Sequence, residues 1–302
     1  MMGMDAALFH EPRRRAFKLA DGEMAAIEFG DPNRPVDVVF THANGFNAMT
    51  YRSILAPVSA SLRILAIDQR GHGASQLPAV TEGRRSWHDL QGDLAAVLDI
   101  IGGPPVVLAG HSMGATASLM AAAIRPQRVS KLVLFDPVVM DFWLALYALA
   151  PWTSGQMWKD MPIAKRAAAR RSIFPSFADA FGAYKGKGAF KSWPDTMLAD
   201  YIAAGFRTRE DNQVELTCTP DWEASNFTAQ ANGLWSVAGR VKAPITIFRA
   251  EKASTCRIGN GRFFLRAHPG SSVTTVPGTS HFLPMERPDL VRDALLDATD
   301  QG

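Results

Sequence analysis

Cysteine is nearly absent from this chain: among 302 residues only Cys218 and Cys256 carry a thiol. Two cysteines cannot build a disulfide framework, and buried free thiols are the expected state of both. Charge of one sign is also lacking. The 32 basic and 29 acidic side chains leave a formal +3, too little over this length to suggest nucleic acid as a partner. Long apolar runs are missing too. The longest, Phe142 to Pro151, is about half of what a bilayer crossing requires. Met1 to Phe9 holds few apolar residues, and Arg13-Arg14-Arg15 follows them instead of preceding them. No export signal is therefore expected, and a cytoplasmic location is. Internal repeats and low-complexity tracts are absent, and no metal-ligand spacing appears among the 7 histidines and 2 cysteines.

What is present describes a large globular core. An apolar fraction of 47% excludes wholesale disorder. The length is long for one domain and short for two, which fits a single core carrying an insertion. A strand pair is expected at Ala16–Leu19 and Met24–Phe29, joined by the turn-forming Asp21-Gly22. Short apolar runs follow at Val36–Thr41, Leu62–Ile67, Val106–Ala109, Leu132–Phe135, Ile245–Phe248 and Val273–Val276. Most are apolar at successive positions, the pattern of parallel strands buried on both faces. Helical spacing lies between them: Trp87 to Ile101, with Ser86 and Asp89 placed as a capping box; Met113 to Ile124; and Met285 to Ala298. Gly102-Gly103 and Pro104 should end the first of these. Strands alternating with helices predict an α/β fold with a mostly parallel sheet.

The alternation stops between residues 141 and 236. Strand runs vanish there, and six of the seven tryptophans (Trp143, Trp152, Trp158, Trp193, Trp222 and Trp235) fall in the segment. It holds ten Lys/Arg and ten Asp/Glu, so it is not a basic patch. The expected organisation is a core made of residues 1–140 and 237–302, with residues 141–236 inserted as a helical cap.

The strongest chemical signal is Gly110-His111-Ser112-Met113-Gly114, placed directly between a strand run and a helix. A Gly-x-Ser-x-Gly in that context reads as a nucleophile elbow. The turn is sharp enough to strain the serine backbone, and flanking glycines keep neighbouring atoms clear. Ser112 would then stand at a helix N-terminus, where amide N–H groups favour developing negative charge. A serine needs a base. His281 lies just beyond the last strand run and after the serine in the chain, as the order serine, acid, histidine requires. His42 and His72 lie beside other strand ends, His111 belongs to the turn, and His10, His88 and His268 read as surface residues.

Two carboxylates compete for the third role, which is to fix the tautomer of the imidazole and stabilise its charged form. Asp136 follows Leu132–Phe135, and Glu251 follows Ile245–Phe248. Either could reach His281; Asp136 is the first choice. An oxyanion hole is expected from the Asn44 amide, in Thr41-His42-Ala43-Asn44-Gly45-Phe46, and from the amide of Met113. One such donor is typically worth on the order of 3 kcal/mol in the transition state.

Together these pieces resemble the α/β-hydrolase superfamily over nearly the whole chain outside the insertion. Asp68-Gln69-Arg70-Gly71-His72-Gly73-Ala74-Ser75 is similar to its D-x-R-G-x-G-x-S loop, a scaffold signature. Ser280-His281-Phe282-Leu283-Pro284-Met285-Glu286-Arg287-Pro288 is similar to its histidine loop and final helix. The resemblance implies an eight-stranded, mostly parallel sheet flanked by helices, with a lid after strand six. Many members carry the acid in a G-x-x-D turn after strand seven. Here that turn reads Ala250-Glu251-Lys252-Ala253, with alanine in the aspartate's place. Haloalkane dehalogenases and pancreatic-type lipases place the acid after strand six instead, which matches Asp136. Dehalogenases and epoxide hydrolases use an aspartate nucleophile, so Ser112 speaks against both activities.

The expected activity is carboxylic ester cleavage through an acyl-enzyme, with no metal or organic cofactor. Lactonase, thioesterase and carbon–carbon hydrolase are rivals on the same residues. A cofactor-free perhydrolase or oxygenase and a ligand receptor are the alternatives from other classes. The expected partner is a small hydrophobic ester, and homodimerisation is left open. His42, Phe46, His111, Phe142, Trp143, Tyr147, Trp152 and Phe282 are the candidate pocket residues; for the aromatics at the start of the insertion, simple packing onto the core is the competing role. Arg170, Arg171, Lys185, Lys187 and Lys191 read as a solvated helix face.

Overall fold

A computed structural model of the protein describes residues 12–150, 152–153, 160–266 and 268–300. Met1 to Phe9, His10, Pro151 and Trp158, discussed above, lie outside the described residues. The chain begins with the strands β1 (Arg13–Leu19), β2 (Gly22–Phe29) and β3 (Val38–Thr41), then α1 (Arg52–Leu55), β4 (Ile64–Ile67) and α2 (His88–Ile101). It continues through β5 (Val106–His111), α3 (Met113–Ile124) and β6 (Val129–Phe135). The next stretch carries α4 (Phe142–Leu149), α5 (Pro162–Ala168), β7 (Ile173–Phe174), α6 (Phe177–Tyr184) and α7 (Asp195–Gly205). After it come β8 (Phe206–Thr208), β9 (Val214–Leu216), α8 (Pro220–Thr228) and α9 (Leu234–Ala238). The chain closes with β10 (Ile245–Ala250), β11 (Ser272–Val276), α10 (Leu283–Glu286) and α11 (Pro288–Thr299).

Eight strands form one sheet in the order β1-β2-β4-β3-β5-β6-β10-β11. Only β2 runs antiparallel to its neighbours; the remaining pairs are parallel. The eight strand runs read from the sequence all lie in this sheet. Their unbroken apolar character follows from burial on both sides. Val106 and Leu108 of β5 join a core with α2 and α3, whereas Val107 and Ala109 join another with α1 and α11. The sheet order reverses where β3 lies beside β5, so the loops leaving their carboxyl ends diverge and open a crevice there.

Three local expectations are corrected. No capping box forms at Ser86 and Asp89: Trp87 is the N-cap of α2 and no side chain caps it. The Asp89 carboxylate is instead held by the Arg84 guanidinium at 2.7 and 3.0 Å, and Ser86 Oγ meets His88 Nδ1 at 2.9 Å. The final helix is two helices, broken at Arg287, because Pro288 excludes helical dihedrals from the residue before it. The insertion is not free of strands either: β7, β9 and β8 form a separate three-stranded sheet. Strands of two or three residues are too short for alternation to register in a sequence.

Candidate active site

The backbone at Ser112 is strained, with φ 55° and ψ −120° between β5 and α3. Only glycine fits on either side. A Cβ on Gly110 would lie 2.3 Å from Thr41 Oγ1, and one on Gly114 would lie 2.5 Å from the His42 carbonyl oxygen. The turn is pinned by the Ser112 N–H, which donates to the Phe135 carbonyl at 3.0 Å.

His281 Nε2 lies 2.9 Å from Ser112 Oγ, and its Nδ1 lies 2.6 Å from Asp136 Oδ2. An ionised carboxylate can only accept, so Nδ1 carries the proton and the lone pair of Nε2 faces the serine hydroxyl. Asp136 is fully buried. Its Oδ1 also accepts from the Ala250 N–H at 2.9 Å and the Ser254 hydroxyl at 2.5 Å, and its Oδ2 from the Thr255 N–H at 3.1 Å. Burial pushes this carboxyl's pKa up. The hydrogen bond and charge of His281, with the Ser254 and Ala250 donors, outweigh it and hold the group below its ordinary value.

Glu251, the other candidate, is exposed, and its Oε2 accepts from the Gly278 N–H at 3.0 Å. The loop after β10 thus brings no carboxylate to His281; its Ser254 and Thr255 instead hydrogen-bond Asp136 at the end of β6. Sequence reading missed both hydroxyls, although the Ser254-Thr255 pair just past Ala253 was their signal.

The loop after β3 is fixed from behind. The Ala43 N–H donates to Tyr51 Oη at 3.1 Å, Tyr51 Oη meets His111 Nδ1 at 2.8 Å, and His111 Nε2 meets the His281 carbonyl at 2.7 Å. A carbonyl only accepts, so Nε2 carries the imidazole proton and Tyr51 donates to Nδ1. One directional chain therefore joins the β3 loop to the backbone of His281. Burial pushes His111 down to about 3, so it stays neutral. Two more buried imidazoles accept backbone N–H groups: His72 from Gly45 at 3.1 Å and His42 from Gln69 at 2.9 Å. His42 and His111 are therefore braces behind the loop and do not line the cavity. Tyr51 carried no signal in the sequence.

Asn44 and Met113 both line the space next to Ser112. The Asn44 side chain donates to the Glu223 carbonyl at 2.9 Å and accepts from Asn226 Nδ2 at 2.8 Å. Its backbone N–H has no acceptor among the described residues. The Met113 N–H belongs to the first turn of α3, where the helix itself supplies no acceptor.

The cavity over Ser112 and His281 measures about 730 Å³, and Phe46 and Phe282 line it. The four aromatics expected from the start of the insertion do not. Phe142, Trp143, Tyr147 and Trp152 are 38%, 75%, 48% and 79% exposed. The helix α4 is apolar on every side, so aromatic content could not reveal its inner face; it turns Ala145 and Ala148 inward and gives Leu144 to the cavity. Met140, Phe190 and Phe227 are further apolar lining that sequence reading missed.

The basic residues separate as well. Arg170 is tied into the protein by Glu223 Oε2 at 2.7 Å and the Tyr201 hydroxyl at 2.5 Å. Arg171 lies 4.4 Å from the centre of the Phe174 ring, Lys185 pairs with Asp195, Lys191 is exposed, and Lys187 lines the cavity. His268, expected at the surface, is buried. Cys218 and Cys256 are buried free thiols. Among the described residues no helix is long and apolar enough to cross a membrane.

Comparison with known proteins bears on this arrangement. Epoxide hydrolase A of Mycobacterium tuberculosis is 24% identical over 95% of this chain and 97% of its own length. The 2-(acetamidomethylene)succinate hydrolase of Mesorhizobium japonicum is 24% identical over 87% of each. Among solved structures, that of E-2-(acetamidomethylene)succinate hydrolase superposes with a TM-score of 0.77 at 21% identity, covering 96% of this chain and all of the other. The family model described as alpha/beta hydrolase family matches residues 38–294. With the model spanning the sheet from β3 through most of α11, the chain belongs to the alpha/beta hydrolase family.

Proposed function

We propose that the protein is a serine ester hydrolase of carboxylesterase type. The observation that carries this reading is the His281 imidazole suspended between Asp136 at 2.6 Å and the Ser112 hydroxyl at 2.9 Å. In the first step Nε2 takes the Ser112 proton as Oγ attacks the ester carbonyl. The resulting oxyanion rests on the Asn44 and Met113 N–H groups, both without acceptors of their own among the described residues. His281 then gives its proton to the departing alkoxide, leaving an acyl-serine. Water enters, His281 takes its proton, and collapse of the second tetrahedral intermediate frees the acid and restores Ser112. Asp136 stays ionised throughout, holding the Nδ1–H tautomer and balancing the imidazolium charge.

Residues 141–236 are read as a cap. They supply Leu144, Phe190 and Phe227 to the cavity walls, which suits the carbon skeleton of a small-molecule substrate. The names of the two relatives also point to small-molecule substrates. Ser112 argues against epoxide opening, which in this superfamily uses an aspartate nucleophile.

The test is labelling with a fluorophosphonate, read by intact mass, together with a panel of nitrophenyl esters, lactones and acyl thioesters. Stoichiometric labelling of the wild type, none of Ser112→Ala, and turnover of nitrophenyl esters are expected. An unlabelled wild type that cleaves no ester would overturn the proposal; a preference for lactones or thioesters would redirect it within the same chemistry.

A further inference from the structure

The cavity above Ser112 is unevenly charged. Among the described residues its lining includes Arg166, Arg170, Lys187 and Arg257, and a single carboxylate, Glu223. That carboxylate is already committed, since Arg170 holds it at 2.7 Å. Arg166, Lys187 and Arg257 have no carboxylate partner among the described residues, although cations beside them do: Lys165 pairs with Asp160 at 2.8 Å, and Lys185 pairs with Asp195.

Two of the unpaired cations, Arg166 and Lys187, are exposed residues of the cavity lining. Arg166 lies in the last turn of α5, which ends at Ala168, and Arg170 follows just past the helix C-terminus. Arg170 Nε lies 3.2 Å from the Tyr184 hydroxyl, and its guanidinium lies 5.1 Å from the centre of that ring. From Tyr184 a tight turn leads to Lys187, whose N–H donates to the Tyr184 carbonyl at 3.0 Å. Arg166 and Lys187 thus lie four residues before Arg170 and three after Tyr184, and both line the cavity that holds Ser112. A solvated helix face accounts for Lys185 and Lys191. Arg166 and Lys187 are exposed as well, but they stand at the edge of the cavity that holds Ser112 and have no carboxylate partner among the described residues.

We infer that the substrate carries a carboxylate away from its scissile bond, and that Arg166 and Lys187 receive it while the ester carbonyl lies at Ser112. The inference rests on the ester-hydrolase reading and narrows the substrate class to monoesters of dicarboxylic acids or their equivalents. A phosphate monoester would offer the same negative charge, and the test separates the two.

Hydrolysis of 4-nitrophenyl hydrogen glutarate is compared with that of 4-nitrophenyl butyrate, in the wild type and in Arg166→Gln and Lys187→Gln. Each substitution should lower kcat/KM for the glutarate ester about fivefold, mainly through KM, and leave the butyrate ester within about twofold. Raising the ionic strength to about 0.5 M should erase most of the glutarate advantage. Equal effects on both esters, or none, would overturn the inference. Calorimetric titration of glutarate, butyrate and inorganic phosphate into wild type and the double variant tests the anion site without turnover. Glutarate binding that disappears in the double variant supports it, even if no ester is cleaved and the ester reading fails. No glutarate binding, or tighter binding of phosphate, overturns the carboxylate assignment.

Discussion

On the sheet side of the cavity the polar groups around Ser112 are locked to one another, while on the outer side of α4 large aromatic rings face water. Asp136 alone accepts from His281, Ala250, Ser254 and Thr255. The helix α8 belongs to the insertion but behaves like the sheet side. Its Trp222 is buried and donates from Nε1 to the Arg70 carbonyl at 2.8 Å, and the Arg84 guanidinium lies 4.2 Å from the centre of its ring. Gly71 makes room for it, since a Cβ there would fall 2.3 Å from the indole nitrogen. Trp143 and Trp152 have no such anchorage among the described residues. Residues 141–236 are thus tied to the core through the buried indole of α8, whereas the outer side of α4 leaves its rings in water. A residue's consequence follows from what its removal leaves unpaired, not from its size.

The largest expected effect lies on the sheet side. Asp136→Asn keeps the shape but cannot hold the Nδ1–H tautomer, and kcat for a nitrophenyl ester should fall about 10⁴-fold. Glu251→Gln, whose native carboxylate is exposed and accepts from the Gly278 N–H, should leave kcat within about twofold. A ranking in the other direction would move the acid to β10.

Acid stability is the second contrast, because the buried imidazoles lie behind the Ser112 loops. Burial pushes His72 down to about 4 and His111 to about 3, from an ordinary 6.5. As pH falls below about 6.5 the unfolded chain takes up protons that these residues refuse, so folding weakens by up to roughly 3 kcal/mol per histidine by pH 4. Asp68 acts in the opposite sense. Its burial raises it from 3.8 to about 6, so between those values the folded state keeps a proton the unfolded state has lost. Stability from that group therefore rises as pH falls, offsetting about one histidine. Urea unfolding between pH 7 and about 4.5 should show a net loss, reduced in His72→Gln. A flat profile in the wild type would mean the imidazoles are hydrated.

The chain from Ala43 through Tyr51 and His111 to His281 gives a smaller effect. Tyr51→Phe strands a buried N–H and a buried imidazole nitrogen, at a cost of about 3 kcal/mol in stability. If the chain aligns the oxyanion loop with His281, kcat should drop about tenfold or more while KM changes little. A stability loss with unchanged kcat would reduce Tyr51 to a packing role.

Much of the sheet side was legible because its rules are local. A strand buried on both faces leaves an unbroken apolar run, as in Val106–Ala109. An elbow needs glycine where a Cβ would strike Thr41 or the His42 carbonyl. The placing of Asp136 after β6 was legible only as one of two options, since the choice depends on Ser254 and Thr255 folding over it from another strand. The Tyr51 chain left no trace, because a buried tyrosine beside a helix start looks like any core residue. In the insertion, apolar spacing failed for a different reason. In α4, Phe142–Leu149, every side is apolar, so period alone could not separate Leu144, which faces the cavity, from Trp143, which faces water.

That ambiguity sets the smallest prediction. Trp143→Ser and Trp152→Ser remove rings that are three-quarters exposed or more, and each should change unfolding free energy by no more than about 0.5 kcal/mol. Ester turnover should stay within about twofold in both, while Trp222→Ala in α8 should cost 3 kcal/mol or more, roughly what truncating a buried aromatic removes. Should Trp143→Ser instead depress turnover tenfold with stability intact, its ring would have to meet the substrate during the reaction, which requires α4 to rotate over the cavity. The exposed face of α4 would then be a working part, and the contrast with α8 would mark a hinge between a fixed and a moving half.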